Sequence, residues 1–224
     1  MKKHFFIVIL ALSTFGHRNI QASGNILHTF CCALFGNKEA STAIKSYFSQ
    51  AESNFKLSNS IPIPIKYIKD NRFLNQFSAF TWFGTWVDRN YWSTINDTQK
   101  QWHAHHEVAH TALHHPEKQI SMACFATITA YLATHILKLN RPLSALAITA
   151  SLATIIPYYA CACEKEADIA AANILCKNNK IDIVQAHVDE LESQPNQSCI
   201  WFYEQNKQIN YLKETIKEYS EPAK

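Results

Sequence analysis

The stretch HAHHEVAH, residues 103–110, places four histidines and one glutamate within eight residues. On a helix, residues four apart share one face, so His106 and His110 converge on one point and Glu107 projects beside them. Zinc binds histidine nitrogens readily, and a catalytic zinc site keeps one position open for water. The spacing therefore predicts His106 and His110 as zinc ligands with Glu107 as the general base, and a third protein ligand must come from elsewhere.

The third ligand is expected in CEKEADIAAA, a later segment with the pattern of a helix. Glu164 and Asp168 lie four residues apart, so Asp168 is well placed to accept the second ring N–H of a metal-bound histidine. Glu166 is the rival ligand, but it lies about 200° around the helix from Glu164 and has Ala170 one turn further on. We therefore choose Glu164 as the third ligand and Asp168 as the carboxylate that supports a metal-bound histidine.

Other interpretations of the histidine-rich stretch fit less well. The longer metzincin pattern needs glycine three residues and histidine six residues after His110, where this chain has Leu113 and Pro116. A structural zinc site would use four ligands and would have no use for a glutamate between its histidines. A chance match in a polar helix is the remaining alternative. Four further histidines are expected to be solvated or to serve packing: His103, His105, His114 and His115.

Several elements must position these residues. Asn96 or Asp97 can cap a helix that runs from about Thr98 to His115 and is stopped by Pro116. The segments IPIPIKYI and FTWFGTWVDRNYW are extended or aromatic and predict a short sheet before that helix. An amphipathic helix is predicted in residues 38–57, and three more helices follow from Glu164 onward.

Two uncharged runs, residues 119–137 and 142–163, are separated by the short connector KLNR. Each run is near the ~20 residues needed to cross a bilayer, so the pair predicts a transmembrane helical hairpin. A buried hairpin in a soluble protein is the alternative. Lys138 and Arg141 in the connector favour its cytoplasmic location, which would place both flanks of the hairpin on the exported side.

The N-terminal residues 1–22 have the pattern of an export signal. Lys2 and Lys3 precede an apolar stretch, and small residues follow near Ala22, which predicts either a cleaved signal peptide or an uncleaved signal anchor. The remaining residues, 23–224, are enough for one domain. We therefore expect a single exported domain on the periplasmic side of a bacterial membrane.

Composition excludes some classes of protein. The formal net charge is only +3 and there is no block of basic residues, so no nucleic-acid partner is expected. Hydrophobic residues make up 47% of the chain, which is typical of a folded protein. The seven cysteines cannot all pair, and the sequence does not define which of them would form disulfides.

The order HEVAHTALHH, apolar hairpin, EKEADIAAA resembles the HtpX-like and CAAX-prenyl-protease-type zinc metallopeptidases, metallopeptidase family forty-eight. The likeness covers about Asn75 to Asn173 and includes His115, which matches a further histidine of the family motif. It implies one Zn²⁺ per chain, held by His106, His110 and Glu164 with Asp168 in support. It also implies that FSAFTWFGTWVD forms an edge strand that holds the substrate backbone extended.

One part of the family pattern is missing. The family usually has a late His-Pro followed by an arginine that helps to stabilise the tetrahedral intermediate. Here Gln194 precedes Pro195, and no arginine follows Arg141. Gln194, His187 or Tyr203 could donate a hydrogen bond in its place, and loss of one such donor typically costs ~10²–10³ in rate.

Together these features predict a mainly α (α+β) fold: a zincin-like helical metallopeptidase with a small antiparallel sheet and a hydrophobic helical hairpin. The predicted function is a membrane-associated zinc metalloendopeptidase that cleaves a protein or peptide substrate. The alternative is a catalytically inactive zinc-binding membrane protein of the same fold.

Overall fold

A computed structural model describes residues 31–57, 63–69, 79–81, 84–193 and 205–221. The predicted signal segment, residues 1–22, lies outside the described residues, as do Gln194 and Tyr203. The chain is mainly helical, as predicted. Its elements are α1 (Thr42–Asn54), β1 (Ile65–Tyr67), β2 (Ala79–Thr81), β3 (Thr85–Val87), α2 (Arg89–Thr94), α3 (Asp97–Ala112), α4 (His115–Ile136), α5 (Arg141–Lys177), α6 (Ile181–Ser193) and α7 (Gln205–Ser220).

The helix α3 carries the histidine-rich stretch. It begins at a capping box in which the Asn96 side chain accepts from the Gln99 backbone and the Gln99 side chain accepts from the Asn96 backbone. The helix ends at Ala112, three residues before the predicted end. In a continued helix the ring of Pro116 would clash with the carbonyl of Ala112, so the chain instead turns at His114, where φ is 57°.

The sheet differs from the prediction. Its strand order is β1-β3-β2; β2 pairs antiparallel with β3, but β1 pairs parallel with β3. The prediction of an antiparallel sheet is therefore wrong for that pair. A three-residue connection lets β2 and β3 form a hairpin, whereas β1 reaches the far edge of β3 through a longer segment, and only a long connection permits parallel pairing.

Two apolar clusters fix the rotation of α3. Trp102 packs with Leu212 and other residues of α5, α6 and α7. Val108 packs on the other side with Phe48 and with residues near the sheet. Because Val108 lies about 200° around the helix from His106, its burial directs the opposite face of α3 toward α5.

The helices α4 and α5 pack along each other and form the predicted helical hairpin. Unlike the prediction, the second arm does not end before Glu164, because α5 continues unbroken from Arg141 to Lys177 with Pro157 in its interior. The hairpin and the acidic segment are therefore parts of one helix. Cys163 and Cys176 lie on this helix as buried free thiols.

Among the described helices, α5 is long and apolar enough to cross a membrane. The core helix of a soluble protein can have the same composition, but such a helix is mostly buried. Only 11% of the most apolar window of α5 is buried inside the protein. Large apolar side chains on both arms of the hairpin are exposed, among them Phe125, Leu132, Ile136, Leu146 and Tyr158.

Candidate metal centre

Three residues from two helices converge beside α3. His106 and His110 come from α3 and Glu164 comes from α5. The His106 Nε2 atom lies 3.1 Å from Glu164 Oε2 and 3.1 Å from His110 Nε2, and His110 Nε2 lies 3.6 Å from Glu164 Oε1. Zinc–nitrogen bonds are about 2.0–2.1 Å long, so the donor atoms of a tetrahedral site lie roughly 3.3 Å apart. The structure therefore brings the three predicted ligands into a group that could bind one metal ion.

Asp168 supports the first of these ligands. Its Oδ1 atom accepts a hydrogen bond of 2.7 Å from His106 Nδ1, so that in the neutral ring Nε2 presents its lone pair to the centre. The carboxylate is buried, and its Oδ2 atom accepts from Gln208 Nε2 and from the Tyr211 hydroxyl, both at 2.8 Å. The sequence did not indicate Gln208 or Tyr211, because they reach Asp168 from a separate helix, α7.

The electrostatics of the group favour a cation. Burial alone would lower the pKa of His106, but the carboxylates of Asp168 and Glu164 raise this pKa well above its ordinary value. The same negative charge that holds a proton on the imidazole would also stabilise a metal ion.

Glu107 lies on α3 beside the ligands, and it is buried. The Thr81 hydroxyl of β2 donates to its carboxylate, but Oε2 has no hydrogen-bond partner among the described residues. Burial raises the pKa of Glu107. A buried acceptor without a protein partner requires an explanation such as a water or ligand at that position. This orphaned oxygen fits a glutamate that faces a water molecule at a metal centre.

His115 and Glu166 form a chain behind the second histidine ligand. His115 Nδ1 lies 2.9 Å from His110 Nδ1, and His115 Nε2 lies 3.1 Å from Glu166 Oε2. Glu166, the rival ligand in the sequence, thus contacts His115 rather than the metal-binding group. The Nζ atom of Lys118 lies 3.6 Å from the same Glu166 oxygen.

The other histidines near the motif have packing or surface positions, as expected. His105 is buried: its Nδ1 donates to the Gln101 carbonyl, and its Nε2 accepts from Asn54. His103 contacts the Tyr91 hydroxyl at 2.8 Å. Burial lowers the pKa of both rings to about 4, so both are neutral at pH 7. The side chain of His114 is exposed.

The structure does not bring His187, a candidate oxyanion donor, into the His/His/Glu group. Its ring stacks on Trp102 with 4.2 Å between ring centroids, and its Nδ1 lies 3.7 Å from Glu190 Oε2. The other two candidates, Gln194 and Tyr203, lie outside the described residues.

Comparison with known proteins gives no match. The chain matches no protein-family model, no curated protein and no solved structure. The resemblance to HtpX-like metallopeptidases therefore rests on the motif residues alone.

Proposed function

We propose that this protein is a zinc-dependent metalloendopeptidase. The observation that carries the proposal is the buried Glu107 carboxylate, which lies next to a His/His/Glu group and has one oxygen unpartnered among the described residues. A purely structural zinc site has four protein ligands and no need for a buried glutamate at its side. A catalytic site needs both three ligands and a base.

Zinc is the metal that this ligand set fits best. Two histidines and one glutamate are a common set of protein ligands in catalytic zinc sites, which leave a fourth position for water. His106, His110 and Glu164 would hold the ion. A bound Zn²⁺ supplies a water whose pKa is lowered toward ~7 and polarises the carbonyl of the peptide bond.

The role of Glu107 follows from its position. Its free oxygen would accept a proton from the attacking water and deliver that proton to the leaving amine. Burial raises the pKa of Glu107, which strengthens it as a base, while a nearby cation would keep it charged at neutral pH. The Thr81 hydroxyl and the two neighbouring histidines lower this pKa in turn.

The proposed location is the membrane. The exposed apolar side chains of α4 and α5 would lie in the lipid, and the two arms would insert together because they pack along each other. With Lys138 and Arg141 in the connector on the cytoplasmic side, the metal centre would face the exported, periplasmic side. The substrate would be a protein or peptide that reaches that side.

The test compares zinc content and cleavage of unfolded casein for the full chain in detergent. Glu107→Gln is expected to keep about one zinc per chain and to lose cleavage, because its amide cannot accept the proton. Glu164→Ala is expected to lose zinc. Glu214→Gln, an exposed glutamate on α7, is the matched control and should behave like the parent.

Each alternative gives a different result. Cleavage that survives in Glu107→Gln would show that the mechanism is wrong. A parent that binds zinc but cleaves no substrate would favour the catalytically inactive zinc-binding protein, the second candidate, which is supported by the absence of any arginine after Arg141. If the parent does not bind zinc, the histidine-rich stretch is only a polar helix and not a metal site.

Location is tested separately by washing membranes with alkaline carbonate. The parent should remain with the membrane, and replacement of Phe125 and Leu132 by lysine should weaken that retention because charge is costly in lipid. The matched control replaces Asn206 and Asn210, two exposed polar residues of α7 outside the hairpin, by lysine and should leave the retention unchanged. Release of the parent by carbonate would instead favour a soluble protein with an exposed hairpin.

A further inference from the structure

His110 needs a hydrogen-bond acceptor behind it if it is to bind a metal. Its Nε2 atom faces the other two ligands, so the neutral ring must carry its proton on Nδ1. Ligating histidines almost always donate that second N–H to a partner that fixes the ring. For His106 this partner is Asp168. For His110 the partner seen in the structure is His115, with 2.9 Å between the two Nδ1 atoms.

A contact between two imidazole nitrogens is a hydrogen bond only when one nitrogen carries a proton and the other does not. Because His110 Nδ1 must be the donor, His115 Nδ1 must be the acceptor. The proton of a neutral His115 then resides on Nε2, which lies 3.1 Å from Glu166 Oε2 and donates to it. Each tautomer in the chain is thus determined by the one before it.

We propose that His115 is a positioning residue for the metal: it fixes the tautomer and orientation of His110 and passes the hydrogen bond on to Glu166. Its function is to raise the affinity for zinc. The inference rests on the part of the proposed function in which the His/His/Glu group binds zinc, and it is independent of peptide cleavage.

Packing alone does not account for this arrangement. The His115 side chain is 1% exposed, and an apolar residue could fill the same volume. Both ring nitrogens instead meet polar partners, one on α3 and one on α5, at hydrogen-bond distance. The backbone supports this placement, because the left-handed conformation of His114 separates α3 from α4 and leaves His115 at the first position of α4, within reach of α3.

The test uses two replacements at one position. His115→Asn keeps an acceptor near the place of Nδ1, whereas His115→Leu keeps most of the volume and has no acceptor. The zinc dissociation constant of the full chain in detergent should rise about 10–100-fold in His115→Leu. His115→Asn should recover most of that loss. Glu166→Gln should cause a smaller rise, because its amide oxygen can still accept from His115.

His105→Leu is the matched control. His105 is also buried, lies on α3, and hydrogen-bonds away from the metal group to Asn54 and Gln101. We expect this variant to lower the unfolding temperature and to leave the zinc dissociation constant near the parent value. The control separates the loss of a buried histidine from the loss of the hydrogen bond to a ligand.

A second readout does not depend on any substitution. In the zinc-loaded parent labelled with ¹⁵N-histidine, the NMR signals of His115 should show the proton on Nε2 and none on Nδ1. A proton on Nδ1 would overturn the inference even if His115→Leu fails to fold.

The remaining outcomes are also decisive. Equal zinc affinity of the parent, His115→Leu and His115→Asn would overturn the inference while leaving zinc binding intact. A parent that binds no zinc would overturn both this inference and the proposed function. Zinc binding with the expected order of affinities but without cleavage would support the inference and overturn only the proposed peptidase activity.

Discussion

The two α3 histidines of the proposed metal centre are held in different ways. His106 donates directly to Asp168, a buried carboxylate that also accepts from Gln208 and Tyr211. His110 instead reaches its carboxylate through a second imidazole, and that carboxylate, Glu166, has a side chain that is 54% exposed. His106 is therefore fixed by a charged group in the protein interior, whereas His110 is connected through His115 to a carboxylate at the surface.

This difference has an energetic meaning. Charges in the interior interact strongly because water screens them little, whereas exposed charges are screened by water and salt. We therefore expect Asp168 to contribute more to zinc affinity than the chain through His115 to Glu166. Substitutions of Asp168, Glu166 and Lys118 test this expectation.

The largest effect is expected for Asp168→Asn. The amide can still accept from His106, but it carries no charge, and its NH₂ group would face the two donors Gln208 and Tyr211. Zinc affinity should fall about 100-fold, the upper end of the range for such partners. The free energy of unfolding should fall by about 1–3 kcal/mol because buried donors lose their acceptor.

Titration with zinc and thermal or chemical unfolding measure the two quantities. Asp189→Asn is the matched control, since Asp189 is exposed and accepts a surface hydrogen bond from Gln185. An Asp168→Asn variant that loses no more zinc affinity than a Glu166 variant would show that burial does not separate the two ligands.

An intermediate effect is expected for Glu166→Ala, which removes the exposed end of the chain. The zinc dissociation constant should rise by less than in Asp168→Asn, and the difference from the parent should shrink at high salt. The reason is that salt screens an exposed charge more than a buried one. Zinc titrations at low and high ionic strength measure this. A difference that does not depend on salt would place Glu166 in an interior environment.

The smallest effect is expected for Lys118→Met. The Lys118 ammonium lies 3.6 Å from Glu166, and both side chains are about half exposed. An exposed pair of this kind contributes about 0–1 kcal/mol. Zinc affinity should therefore change less than in either preceding variant, as measured by the same titration. A loss as large as that of Glu166→Ala would mean that the ion pair, and not the carboxylate alone, determines the position of His115.

The sequence predicted the parts of the site that depend on helical spacing. His106 and His110 lie four residues apart on one helix, as do Glu164 and Asp168 on another, and such pairs share a face whatever the rest of the fold does. The hairpin between the two motifs was also predicted, since its composition and length are local properties.

The role of His115 could not be predicted in this way. In one continuous helix, a residue five positions after His110 would lie about 140° around the axis, away from it. Because the helix breaks at His114, the direction of the His115 side chain is no longer set by its spacing from His110. Thr81, Gln208 and Tyr211 reach the site from β2 and α7, so only the tertiary packing brings them there. The parallel pairing of β1 with β3 also depends on a long connection rather than on local pattern.

The continuity of α5 has a mechanical consequence. One continuous helix carries both the exposed apolar surface and, beyond Pro157, the three acidic residues Glu164, Glu166 and Asp168. A tilt or rotation of the apolar part would therefore move these three carboxylates together relative to His106 and His110 on α3. Pro157, which lacks a backbone N–H, marks the point where bending can absorb such movement. The geometry of the proposed metal centre would thus depend on how the apolar part of α5 is seated in its surroundings.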